Sequence, residues 1–286
     1  MWLIFLGLYF VTATCFYLFR RTLAKSLQQH RLLIHSVSFS FFMLPVGVCL
    51  GLIFPHNFDI GIVNMLLLIF GSIIWPLDWL IAFRANQKVD VGVFTVISNL
   101  APLFTLSIAL TLLNEKISMI QAIAILLLLI SGLVVSLPLI RKKHVHSKEI
   151  MIAVLSAAIL GIGIVYERFM LNRVDFGTYL ILGWGSQTVW ALILAHKQLR
   201  EIPALITNKK LAKQIIIFAG LMTLQSVSFI SALKLSGRAS IMGPASNFLT
   251  VVVVIAAYFI LKEKDHLLAK VAASIIGVVG LILIAS

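Results

Sequence analysis

An acidic side chain in an oily run is the first residue that invites chemistry. Asp78 lies inside the apolar stretch 61 to 83, and an ionised carboxylate near the bilayer centre costs about 2.5–3.5 kcal/mol on insertion scales. At 100° per residue Asn64, Gly71, Trp75, Asp78 and Ala82 share one helical stripe. Pro76 removes a backbone donor and kinks the helix beside them. This face suits a proton site or a counter-charge for a cation, with the Trp75 ring available for stacking. The competing reading puts Asp78 at the interface, with Trp75 and Trp79 as belt aromatics.

Two amides repeat the theme. Asn99 and Asn247 each precede a glutamate, Glu115 and Glu263, by 16 residues, roughly 24 Å of helix rise. Both asparagines therefore fall near mid-membrane when the glutamates are at the surface. They either bridge packed helices as polar glue or present their amides to a solute, and Gly243 with Pro244 favours close packing or local unwinding beside the second. Gln225, Ser226 and Ser228 hold the corresponding place in the eighth apolar run that Trp75 to Asp78 hold in the third. The pairs Glu115-Lys116 and Glu263-Lys264 sit at helix ends, where a carboxylate opposes the macrodipole unless the next lysine or a helix N-terminus compensates it; they read as architecture. Glu167, between Tyr166 and Arg168, reads as an interfacial ion pair. Trp184, Gln187 and Trp190 are anchors or lining.

Other chemistries lack their residues. Most of the seven histidines fall between apolar runs, and neither His144 with His146 nor any helical His-Glu-x-x-His pattern gives a zinc spacing. No Walker-type loop or Gly-x-Ser-x-Gly elbow occurs. Cys15 and Cys49 lie in apolar runs and read as small buried hydrophobes rather than a disulfide or metal pair. No metal, cofactor or catalytic set is expected. The net charge of +13 is dispersed between apolar runs rather than gathered on one face, so nucleic acid is not an expected partner.

The elements that must carry these residues are membrane helices. Hydrophobic residues make up 61% of the 286 and charged ones 12%, with mean hydropathy +1.08, against roughly 45–50% apolar in soluble domains. Apolar runs cover 2 to 19, 32 to 54, 61 to 83, 91 to 113, 118 to 140, 150 to 166, 178 to 196, 214 to 233, 239 to 261 and 267 to 285. About 20 helical residues cross a bilayer core, whereas a barrel strand needs about ten. The expectation is an all-α membrane protein of ten transmembrane helices, multi-pass in a plasma or inner membrane, with the lipid bilayer and a small solute as its partners.

A shift of 148 residues superposes Ser98-Asn99 on Ser246-Asn247, Glu115-Lys116 on Glu263-Lys264 and Gly132-Leu133 on Gly280-Leu281 without a gap. The chain therefore reads as two five-helix repeats, 1–140 and 150–286. An odd number of helices per repeat inserts the second upside down, an inverted repeat typical of secondary transporters. Of the 23 Lys and Arg, 18 fall in the odd-numbered connections. Positive charge in short loops marks the cytoplasm, so both termini are expected to face outward.

The segments Ser98-Asn99-Leu100-Ala101-Pro102-Leu103-Phe104, Leu113-Asn114-Glu115-Lys116-Ile117-Ser118, Ala232-Leu233-Lys234, Gly243-Pro244 and Leu261-Lys262-Glu263-Lys264 together resemble the ten-helix EamA-type branch of the drug/metabolite transporter superfamily. That resemblance implies alternating access through a cavity lined mainly by helices three, four, eight and nine, helped by one and six. It implies a small organic metabolite or drug-like solute and selects no cargo. It also implies both termini in the cytoplasm, against the charge count. Trp75, Asp78, Asn99, Gln225, Ser228 and Asn247 are the candidate pathway residues. The rival readings are a membrane-embedded enzyme using Asp78 with Glu167, and a membrane scaffold without transport.

Overall fold

The computed structural model describes residues 1–23, 31–88, 91–137, 147–260 and 267–285, and among them no strand occurs. Ten helical segments follow one another: α1 (Trp2–Leu23), α2 (Leu33–Ile53), α3 (Gly61–Ala82), α4 (Val91–Ser98 with Ala101–Leu112), α5 (Met119–Ser136), α6 (Ser147–Leu171), α7 (Phe176–Glu201), α8 (Lys209–Ser236), α9 (Ala239–Ile260) and α10 (Leu267–Ala285). Among the described residues nine are long and apolar enough to cross a membrane, and α4, whose apolar part runs only over Val96–Leu112, is the shorter exception. The multi-pass, all-helical character expected from composition is therefore present. Glu263 and Lys264 lie outside the described residues, as does most of the segment joining the halves.

The burial pattern is that of a protein whose solvent is oil. Ile4, Val11, Ile62, Leu112, Phe259 and Ile282 are exposed along the helices, and so are Cys15 and Cys49, which face outward instead of being buried as expected, while Asp78, Asn99, Glu167, Gln187 and Thr188 are buried. In water that arrangement would cost surface energy on the outside and desolvation on the inside. In lipid only the outward apolar surface is free of penalty.

Turn chemistry explains the segment between α4 and α5 residue by residue. Asn114 takes a left-handed φ of 51°, a conformation its short polar side chain tolerates, and so ends α4. Ser118 then starts α5 with a capping box: its Oγ accepts from the Gln121 N–H at 3.2 Å, and Gln121 Oε1 accepts from the Ser118 N–H at 3.1 Å. α8 begins with Asn208 accepting from the Leu211 N–H and ends on Gly237 at φ 72°.

Packing pairs the two halves reciprocally. α1 lies against α8 and α9, α6 against α3 and α4, and α5 against α10. α6 is longer than its apolar run, continuing through Glu167 and Arg168 to Leu171, because charged residues are adequate helix formers and hydropathy marks the lipid edge rather than the helix end. Trp2 packs against an apolar cluster that gathers residues of α5, α9 and α10.

Several helices are interrupted. α3 breaks at Ser72 and Ile73, the turn preceding Pro76, whose missing N–H leaves the Ser72 carbonyl without its helical donor. α4 breaks at Asn99 and Leu100, just before Pro102. α9 breaks after Asn247, at Phe248, whose N–H turns back to the Ala245 carbonyl at 3.2 Å. α2 and α7 each contain a π-helical turn, Phe39–Met43 and Tyr179–Gly183.

Candidate functional site

The polar residues inside the bundle gather in three places. The first is the stripe on α3, which packs onto α6. Gly71 meets the Tyr166 ring, Trp75 lies at the Gly163 surface, and the Ser156 hydroxyl donates to Asp78 Oδ1 at 3.3 Å. Asp78 is buried. Trp79 stacks on His35 at 3.8 Å between centroids and meets Phe16 edge-on. Both tryptophans are thus turned into the bundle, not out as belt residues. The break in α3 frees the Ile69 carbonyl, which the Trp190 indole takes at 2.6 Å, and the Tyr166 hydroxyl donates to Leu67 O at 3.1 Å in the turn before it.

The second place joins the repeated asparagines. Asn99 donates through Nδ2 to the Gly132 carbonyl at 3.2 Å and to Ser136 Oγ at 2.9 Å, both on α5. Asn247 reaches the same glycine, since a Cβ on Gly132 would stand 2.7 Å from Asn247 Nδ2 and 3.1 Å from Asn99 Oδ1. Asn247 Nδ2 is buried and makes no hydrogen bond. Two residues 148 apart in sequence therefore converge over one turn of α5. α4 and α9 also touch directly, Gly243 against Thr105.

The third place is one that the sequence reading treated as an interfacial pair. Glu167 is 6% exposed and accepts from the Tyr179 hydroxyl at 3.2 Å. The Trp75 indole is directed at the same carboxylate, without closing a hydrogen bond. Gln187, 1% exposed, reaches Tyr179. Arg168 does not pair with Glu167 because consecutive helical residues point 100° apart; it turns toward Glu115 and Gly237. The signal that could have located Glu167 inside was its distance from the next turn: Asn172 and Arg173, not Arg168, end the helix. Trp184 and Gln187 belong to the buried core, not to the interface.

Of the remaining candidates, Ser228 is buried and returns its hydroxyl to Leu224 O at 2.8 Å within its own helix, and Gln225 is partly buried. Glu115 is an architectural residue, with a partner other than its own lysine or the start of α5. Its carboxylate accepts from the Ala239 and Ser240 N–H groups, each at 2.9 Å, and from the Ser240 hydroxyl. It therefore caps α9, where a negative charge meets the positive end of the helix. Arg238 in turn donates to the Lys116 carbonyl and to Gln121 Oε1. Among the described residues no group of His, Cys, Asp or Glu gathers as metal ligands would.

The sequence matches no family model and no curated protein. A solved crystal structure of a protein has the same fold, with a TM-score of 0.68 over 97% of this chain and 95% of its own, at 15% identity. At that identity the likeness carries the fold and no function.

Proposed function

We propose that this chain is a secondary transporter of a small organic solute, working by alternating access between two inverted five-helix halves of the EamA type. The observation that carries the reading is the pair of breaks at matching positions: α4 opens at Asn99 and Leu100, α9 at Phe248 directly after Asn247. Discontinuous helices at corresponding places in two repeats are how transporters build sites near the midplane, because unwound backbone and helix ends supply polar groups where lipid supplies none. The reciprocal packing of α1 with α8 and of α6 with α3 fits two related halves. The unbonded Asn247 amide offers a donor to a solute at a depth where an unmade hydrogen bond is costly.

In this reading Asp78 and Trp75 serve from α3, Asn99 and Asn247 from the broken helices, and Gln225 and Ser228 from α8. An enzyme is disfavoured. It would need paired groups at one depth, and Ser156, which binds Asp78, is eleven residues from Glu167 on α6, roughly 16 Å of rise.

The test compares intracellular and extracellular metabolites, and growth on a panel of toxic analogues, between overexpressing and deletion cells. A reproducible change in one class of solute, followed by its uptake into vesicles holding the purified chain, is expected. An unchanged profile with the protein verified in the membrane sinks the proposal.

A further inference from the structure

We propose that Glu167 is an exchangeable proton site, and that its charge state is read by the irregular turns of α3 and α7 that meet at it. The argument begins with solvation. A carboxylate removed from water and lipid headgroups needs a positive partner or a proton, because the cost of burying an uncompensated charge is several kcal/mol. Glu167 is buried, and its interactions are the Tyr179 hydroxyl and the nearby Trp75 indole. Among the described residues no cation stands with it. Arg168 on the same helix turns to Glu115, and Lys234 on α8 donates to the Leu171 carbonyl at 2.7 Å. The titratable groups facing it are Tyr166 and Tyr179. α4, α8 and α9, which also pack on α6, bring no charged group to it among the described residues.

Tyr179, which donates to the carboxylate, and Gln187, which reaches Tyr179, are both buried, and a proton adds to a carboxylate oxygen without displacing either. Polar surroundings begin one turn away. A polar cavity of about 350 Å³ is lined by Leu171, Asn172, Asp175, Lys234, Asn57 and Asp59, among others, and Leu171 is four residues beyond Glu167 on the same face of α6.

The neighbours of Glu167 are positioned to respond. Tyr179 is the first residue of the π-helical turn in α7, and such turns occur often at functional sites because the backbone there has an alternative register. Trp75 follows the break at Ser72 and Ile73 by two residues. Protonation converts the carboxylate, which accepts from Tyr179 and faces the unbonded Trp75 indole, into a group that can itself donate, so one proton alters the surroundings of both irregular turns. The step is the addition of H⁺ to a carboxylate oxygen, with no other bond formed or broken. The proposal rests on the transport reading in one respect: the proton would be the coupling ion.

The probe is the proton itself, so no cargo is needed. Full-length protein in detergent is titrated by infrared difference spectroscopy and, in parallel, by tryptophan emission. The wild type should show a protonated carboxyl band that vanishes on deprotonation, with an emission change over the same pH range. Glu167→Gln should lose both, Asp78→Asn should keep both, and Trp75→Phe should lose the emission change alone. Tyr179→Phe should shift the band and its midpoint. Should Glu167→Gln fold poorly, Glu167→Asp must retain a band with a displaced midpoint. A band and an emission change that persist in Glu167→Gln, or no titration in the wild type, overturn the proposal. Solute flux without this titration overturns it and leaves transport standing, whereas titration without flux of any solute supports the proton site and sinks the transport reading.

Discussion

Asp78 and Glu115 show how differently two acidic residues are accommodated. Asp78 is held by the Ser156 hydroxyl at Oδ1, and asparagine keeps an oxygen there. Asp78→Asn should therefore insert and accumulate normally while losing most transport, and Asp78→Glu should retain part. Uptake into vesicles at matched protein levels is the measurement, and full flux in Asp78→Asn would reduce the residue to a packing contact with α6. Glu115 sits outside the apolar run and binds the first two N–H groups of α9. Charge-assisted caps are stronger than neutral ones, and losing this one should cost roughly 2 kcal/mol. Thermal unfolding in detergent should show a lowered midpoint for Glu115→Ala and a smaller drop for Glu115→Gln. Equal midpoints in all three proteins would mean that water satisfies the start of α9 equally well.

At the scale of helices, contact is limited by how closely backbones approach. With lipid on the outside as apolar as leucine, association depends on shape and on polar bridges between helices. Gly132 is where both meet, because α4 and α9 lay their asparagines over it. Gly132→Val should displace one or both amides and cost about 1–3 kcal/mol by overpacking, seen as a lower melting midpoint and a broader elution profile. Gly220 on α8 is the control, since a Cβ there meets nothing within 4 Å. Gly220→Ala should be neutral or should stabilise α8 by up to about 1 kcal/mol through helix propensity. If both substitutions behave alike, the convergence over Gly132 contributes nothing to packing.

For the whole molecule the open question is which way the bundle faces. Lys116, Arg168, Arg173, Lys234 and Arg238 are the basic residues of the even-numbered connections, against 18 in the odd ones. Positive charge is retained in the cytoplasm during insertion, and ten crossings would put both ends of the chain on one side. A C-terminal fluorescent reporter that matures only in cytoplasm should therefore stay dark. Bright fluorescence would show that the loop charges do not govern this insertion and that both ends lie inside, as the resemblance implies.

The local features of this protein were legible in its sequence. Hydropathy located the helices, Pro76 announced the break in α3, and the run from Leu113 to Ser118 contained the turn and cap chemistry that separates α4 from α5, because each depends only on residues close in the chain. The 148-residue register also marked the two asparagines at which α4 and α9 break. The facing of most helices was not legible, the α3 stripe of Gly71, Trp75 and Asp78 against α6 being the exception. A soluble helix advertises its inner side by a stripe of apolar residues, whereas a helix in lipid is apolar all round, so periodicity cannot say that Asn99 and Asn247 share Gly132, that Glu115 caps α9, or that Glu167 turns inward to Tyr179. Those partners were chosen by the tertiary structure, through the fit of small residues against large ones and the need of each buried polar group for a hydrogen bond.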